Sequence, residues 1–191
     1  MPIKPKFSER VKKAQEILDN NTIKVNLDKN RIKELISKCL SKNHICGEVI
    51  LCNNFSRINY KDIMKKYKTN NSGHIVWVLF TNTGHVAVVG AGKDLRFSHN
   101  INSGTWAILK ELKIENKDLE WNKSEVILIP IRGLKSIGKK GLDNILLCRN
   151  GVEQLIGDCL IENNIPILNY YSHKNYCSSY WDTCKKNNYR I

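Results

Sequence analysis

Apolar residues near the start of the chain recur with helical spacing. Val11, Ala14, Ile17 and Leu18 share one face of a predicted helix over residues 9–19, with Ser8 placed to cap it. Ile32, Leu35, Ile36, Cys39 and Leu40 repeat at the spacing of a buried stripe, predicting a second helix over 29–42 capped by Asp28. The other faces of these helices carry Lys12, Lys13, Arg31, Lys33 and Lys38. A short apolar run over 48–52 predicts a strand. A third helix over about 59–67 places Ile63, Met64 and Tyr67 inward and Lys61, Lys65 and Lys66 outward. Asn70-Asn71-Ser72-Gly73 is a turn cluster. It divides a basic, mostly helical element (1–70) from a main domain (71–172), which an aromatic tail (173–191) follows.

Beyond the turn cluster the periodicity changes from helical to alternating. His74–Phe80 and His85–Val89 are β-branched runs joined by Thr81-Asn82-Thr83-Gly84, a hairpin signal. Gly90-Ala91-Gly92-Lys93 comes next, then a short helical piece at about 94–99. Thr105 is placed to cap a helix through Lys113, and Ser124–Ile131 predicts a third strand. Residues 140–163 pattern as helix with a break at Asn150-Gly151, and Pro166–Asn169 as a last extended segment. No internal repeat is expected. The fold class predicted is α/β (α+β): a small, mainly antiparallel sheet begun by a hairpin and flanked by helices.

At 191 residues and 41% hydrophobic, the chain can build a real core, and its longest apolar runs are too short to cross a bilayer. The polar N-terminus shows no secretion signal, which predicts a cytoplasmic protein, or a nuclear or viral-factory one in a eukaryotic or viral setting. Seven scattered cysteines then read as reduced thiols, and Cys39, Cys148 and Cys159 as small buried apolar groups. Cys177 and Cys184, with His173 nearby, lack the spacing and the fourth ligand of an ordinary zinc site. Charge narrows the class of partner. The net balance is +13, and residues 1–70 hold 16 Lys and Arg against 7 Asp and Glu. That excess favours a polyanion, through counterion release on contact with phosphates.

Gly90-Ala91-Gly92-Lys93, between a strand and a helix, is a possible phosphate cradle: glycines let backbone amides approach an anion, and Lys93 adds charge. It matches neither a Walker A loop nor a Rossmann fingerprint. Its surroundings are more specific. Val88-Val89-Gly90-Ala91-Gly92-Lys93-Asp94-Leu95-Arg96 resembles the second signature segment of GIY-YIG nucleases, with Val88 at the position of the tyrosine. Trp77, thirteen residues before Gly90, stands where that family's first signature places its other tyrosine. A helix bearing Glu153, followed by Pro166-Ile167-Leu168-Asn169, resembles the closing motif. The resemblance covers residues 74–169.

The resemblance implies a metal-dependent DNA endonuclease of restriction, homing or mobile-element type, using one Mg²⁺ or Mn²⁺ per site. DNA is expected in preference to RNA, and no membrane partner. Glu153 is then the metal ligand, Asn169 a structural helper, Arg96 the phosphate-binding arginine and His99 a proton shuttle. Gly90 shapes the site, while Lys12, Lys33, Lys65 and Lys93 hold nucleic acid. The departures bear on catalysis. Trp77 has no acidity near neutral pH and no acceptor atom. Arg96 comes two residues before the family position, which here is Ser98. His99, Tyr60 and His85 are the remaining proton acceptors. The alternative is a catalytically inactive, nucleic-acid-binding relative on the same scaffold.

Overall fold

Gly84 lies at φ +87°, a left-handed conformation that glycine adopts without strain. It closes the turn between β2 (His74–Thr81) and β3 (Val86–Gly92), the hairpin predicted from the two β-branched runs. In this computed structural model, which describes residues 6–20, 28–43, 45, 48–53, 74–92, 103–131 and 139–169, the hairpin is the centre of the fold. β4 (Trp121–Ile131) pairs antiparallel with the other side of β2, and β1 (Ile50–Cys52) pairs antiparallel with β4. The order is therefore β1-β4-β2-β3. Ile167 bridges in parallel to Val86, where the amides of Leu168 and Asn169 donate to the carbonyls of Val86 and Ala87, both at 3.0 Å. The expected α/β architecture, an antiparallel sheet with flanking helices, is what the chain forms.

Alternation along the strands sorts side chains onto two faces. Val76, Val78, Phe80, Val89, Ile127 and Ile129 face α2 (Lys29–Lys42) and α4 (Lys139–Glu162). Ile32, Ile36 and Leu40 from α2, and Val152, Ile156 and Leu160 from α4, complete that core. Each such aliphatic side chain contributes roughly 1.5–3 kcal/mol on burial. Ile75, Leu79, Val88, Val126 and Leu128 point to the opposite face. A third cluster joins Ala14 of α1 (Phe7–Asp19) to Ile108, Leu109 and Leu112 of α3 (Ser103–Glu115), with Leu119 and Leu168. The 1–70 segment is thus built into the main structure: α2 shares the core of the sheet, and β1 is one of its strands.

Helix ends show where local signals hold. Asp28 Oδ1 accepts from the Asn30 amide at 2.9 Å, the predicted cap, and α2 keeps its predicted span. Ser8 is not the cap of α1. The helix starts one residue earlier because the Glu9 carboxylate accepts from the Lys6 amide at 3.1 Å. Nor does Asn150-Gly151 break α4, which runs unbroken from Lys139 to Glu162. A helical glycine costs only about 1 kcal/mol, and Val152 and Ile156, both fully buried, outweigh it. The predicted helix over 59–67 lies outside the described residues.

The two helices on the sheet's core face are copies of one pattern. Leu35, Ile36, Cys39, Leu40, Asn43 and Ile45 correspond to Leu155, Ile156, Cys159, Leu160, Asn163 and Ile165, 120 positions later. Intervening charges are reversed: Lys33, Lys38 and Lys42 stand against Glu153, Asp158 and Glu162. That reversal hides the repeat, which the sequence analysis did not expect. The structure duplicates its capping as well. Asn43 Nδ2 donates to the Cys39 carbonyl at 2.9 Å and Asn163 Nδ2 to the Cys159 carbonyl at 2.8 Å. The amides of Ile45 and Ile165 donate to Leu40 and Leu160, both at 2.9 Å, closing matched Schellman-type ends. Among the described residues no helix is long and apolar enough to cross a membrane.

Candidate functional site

Glu153 sits well inside α4, fourteen residues after its first, and is 7% exposed. An N-terminal partner for the helix dipole would belong in the first turn, so that role does not explain it. A carboxylate buried in mid-helix is costly unless paired or coordinated, and Glu153 does have an interaction partner. Gln154 beside it is also buried.

Asn169 is 2% exposed and fixed at both ends. Its amide is held by β3 through Ala87, and its Oδ1 accepts from the Arg10 guanidinium at 3.2 Å. Arg10 is 8% exposed and lies 5.8 Å from the centroid of the Phe7 ring. The sequence analysis passed over Arg10, although a signal was present. Position 10 extends the stripe of Ala14, Ile17 and Leu18 by one turn, so an arginine there enters the packed side of α1. A cation on a buried stripe marks a specific polar partner, here Asn169.

Trp77 pairs directly across from Gly90. A Cβ at Gly90 would lie 2.6 Å from the indole Nε1, so the glycine makes room for the ring. This corrects the phosphate-cradle reading of residues 90–92. β3 continues through Gly92, and Gly90, Ala91 and Gly92 are paired with Trp77, Val76 and Ile75. Trp77 packs with Ile75, Leu79 and Val88, on the sheet face opposite the core that α4 covers. Val88, at the second tyrosine position, is buried in that same cluster. The fold therefore groups the two tyrosine-equivalent positions together, with the sheet between them and the apolar face of α4.

His85 lies at the hairpin turn, about 13 Å along the strand from the level of Trp77 at the usual rise per residue. It is buried, and its Nδ1 is 2.8 Å from Thr83 Oγ1. Burial holds its pKa below the ordinary histidine value. Arg96, His99, Lys93, Lys65 and Tyr60 lie outside the described residues. Lys12 is exposed on α1, while on α2 Lys33 is half-buried and Arg31, Lys38 and Lys42 are exposed. Lys29 is ion-paired with Glu125 and stands 5.6 Å from the Phe80 ring centroid.

Among the described residues no three His, Cys, Asp or Glu side chains gather as a metal cage. Glu153 offers one carboxylate. That donor set fits an ion such as Mg²⁺, which keeps several waters and takes further ligands from a phosphate. It does not fit a zinc-type site, which needs three or four protein ligands. No family model, curated protein or solved structure matches this chain.

Proposed function

We propose that this chain is a DNA-acting endonuclease of divergent GIY-YIG type. The observation that carries the reading is Glu153, a carboxylate buried in mid-helix, sixteen residues before an Asn169 clamped between β3 and Arg10. The central position of β2, with β3 and β4 on either side, and the flanking helices also support it. Glu153 would hold one Mg²⁺ or Mn²⁺, which when bound polarises a phosphodiester and lowers the pKa of its own water. Asn169 and Arg10 keep the segment after α4 against β3, which fixes the end of the helix carrying Glu153. The exposed lysines and arginines of α1 and α2 add attraction for the phosphate backbone that weakens with salt. Arg96 and His99 remain the phosphate-binding and proton-transfer residues of this reading, with Lys93 and Lys65 as further phosphate contacts.

A second reading is a nucleic-acid-binding protein that has lost hydrolysis. The packing of Trp77 and Val88 favours it, because neither side chain can accept a proton and both belong to an apolar cluster. Supercoiled plasmid incubated with Mg²⁺ or Mn²⁺ separates the two. Metal-dependent nicking by the wild type, lost in Glu153→Ala and in Glu153→Gln, is expected for the nuclease. A salt-dependent shift of DNA by both wild type and variants, without nicking, establishes the binder instead. Neither nicking nor binding at low salt overturns both.

A further inference from the structure

The repeated helices touch at equivalent residues. Cys39, in the last turn of α2, and Cys159, in the last turn of α4, are hydrogen-bonded thiol to thiol. When position i of one copy meets the same position of the other, the copies are related by an approximate two-fold axis through the contact. Crossing of the helices agrees with this: Asn163 and Ile165, past the end of α4, line a groove with Arg31, Glu34, Leu35 and Lys38 of α2. The backbone of each cysteine is also held in place. Each carbonyl accepts an amide and a side-chain Nδ2 from the asparagine four residues on. Two sulfurs are thus brought together across the core from fixed helix ends.

We propose that Cys39 and Cys159 are a redox site, forming a reversible disulfide that joins α2 to α4 on reaction with a hydroperoxide. The groove edge lies one helical turn from each sulfur, through Leu35 and Asn163, and each cysteine keeps 9% of its surface exposed, enough for a small oxidant. The thiols are not equivalent. The hydrogen bond from Cys39 lowers the pKa of Cys159 and raises that of Cys39. Lys42 favours ionisation of the pair and Glu162 opposes it. Cys159 is therefore the attacking thiolate and Cys39 the resolving thiol.

Attack of the Cys159 sulfur on a peroxide oxygen breaks the O–O bond, releases hydroxide and leaves a sulfenic acid. The Cys39 sulfur then displaces the sulfenic oxygen, which departs as water carrying the Cys39 proton. Two thiols lose two electrons to one peroxide, and an external dithiol reverses the bond. Cys52 is a contrast: it is buried, burial raises its pKa, and its cluster is aliphatic apart from Trp77. This site stands independently of the nuclease reading.

The test treats the reduced full-length chain with limiting hydrogen peroxide, blocks the remaining thiols by alkylation and maps peptides by mass. A cross-linked peptide containing Cys39 and Cys159, lighter by two hydrogens and restored by dithiothreitol, is the expected product. In Cys39→Ser, with its resolving thiol removed, Cys159 should accumulate as a sulfenic acid trapped by dimedone. In Cys159→Ser, Cys39 should stay reduced. Should a serine variant fail to fold, the wild-type map alone still decides. Alkylation of both Cys39 and Cys159 while other cysteines are oxidised, or pairing of either with a different cysteine, overturns the proposal.

Discussion

The Arg10 guanidinium donates to Asn169 Oδ1 at 3.2 Å, joining the first helix to the segment that follows the last one. Both residues are buried, so neither group can exchange its partner for bulk water at no cost. Arg10→Ala and Asn169→Ala are each expected to lower unfolding stability by about 1–3 kcal/mol, since each strands a buried polar group. Urea denaturation of the single and double variants checks this. A coupling energy indistinguishable from zero would show that the contact does not hold these segments together. Arg10→Lys should not restore stability, because an ammonium lacks the planar fork of the guanidinium.

Trp77 and Gly90 are matched in shape. Gly90→Ala should destabilise by about 1–3 kcal/mol through overpacking against the indole. In a Trp77→Val background the same change should cost much less. Equal penalties in the two backgrounds, measured by urea midpoints, would refute the contact as the reason for glycine.

The helical repeat makes a paired prediction. Ile36 and Ile156 occupy equivalent positions, and both are fully buried. Truncation of either to alanine should cost about 2–5 kcal/mol. The two values should agree more closely with each other than with Ile114→Ala on the exposed side of α3, which should be near neutral. Thermal or chemical denaturation gives all three numbers.

His85 links stability to pH. Its folded pKa lies below the ordinary value of 6.5 because burial disfavours the imidazolium. The unfolded chain therefore binds the proton more readily. The contribution of neutral His85 is complete above pH 6.5 and is lost as pH falls from there through the lowered folded pKa. Wild-type stability should drop more steeply across that acidic window than the stability of His85→Gln. Parallel pH profiles for the two proteins would remove His85 as the source.

Most of the elements were legible because short-range signals and packing agreed. The stripe Ile32, Ile36, Leu40 with Asp28 before it fixed α2 to the residue, and the turn at Gly84 placed the hairpin. The misses have physical reasons. Ser8 yielded to Glu9, which closes the helix one residue earlier. Asn150-Gly151 signals a break only while the burial on either side is unknown. Gly90 looked like a loop glycine because the sequence does not reveal the indole opposite it. The repeat stayed hidden because Lys33, Lys38 and Lys42 carry charge opposite to Glu153, Asp158 and Glu162, while the shared residues lie on the buried side.

By itself the amino-acid sequence determined the periodic faces, the turns and the class of fold, because these follow from residue order within a few positions. It also determined the basic balance and which residue types are present to do chemistry. Tertiary structure alone decided which of those residues meet. Arg10 reaches Asn169 across 159 positions, and Cys39 reaches Cys159 across 120. Trp77 lies on the sheet face away from α4 because a period of two sends Val76 and Val78 to the other side. Contacts of that kind depend on how layers stack, and pairwise spacing along a chain carries no record of the stacking.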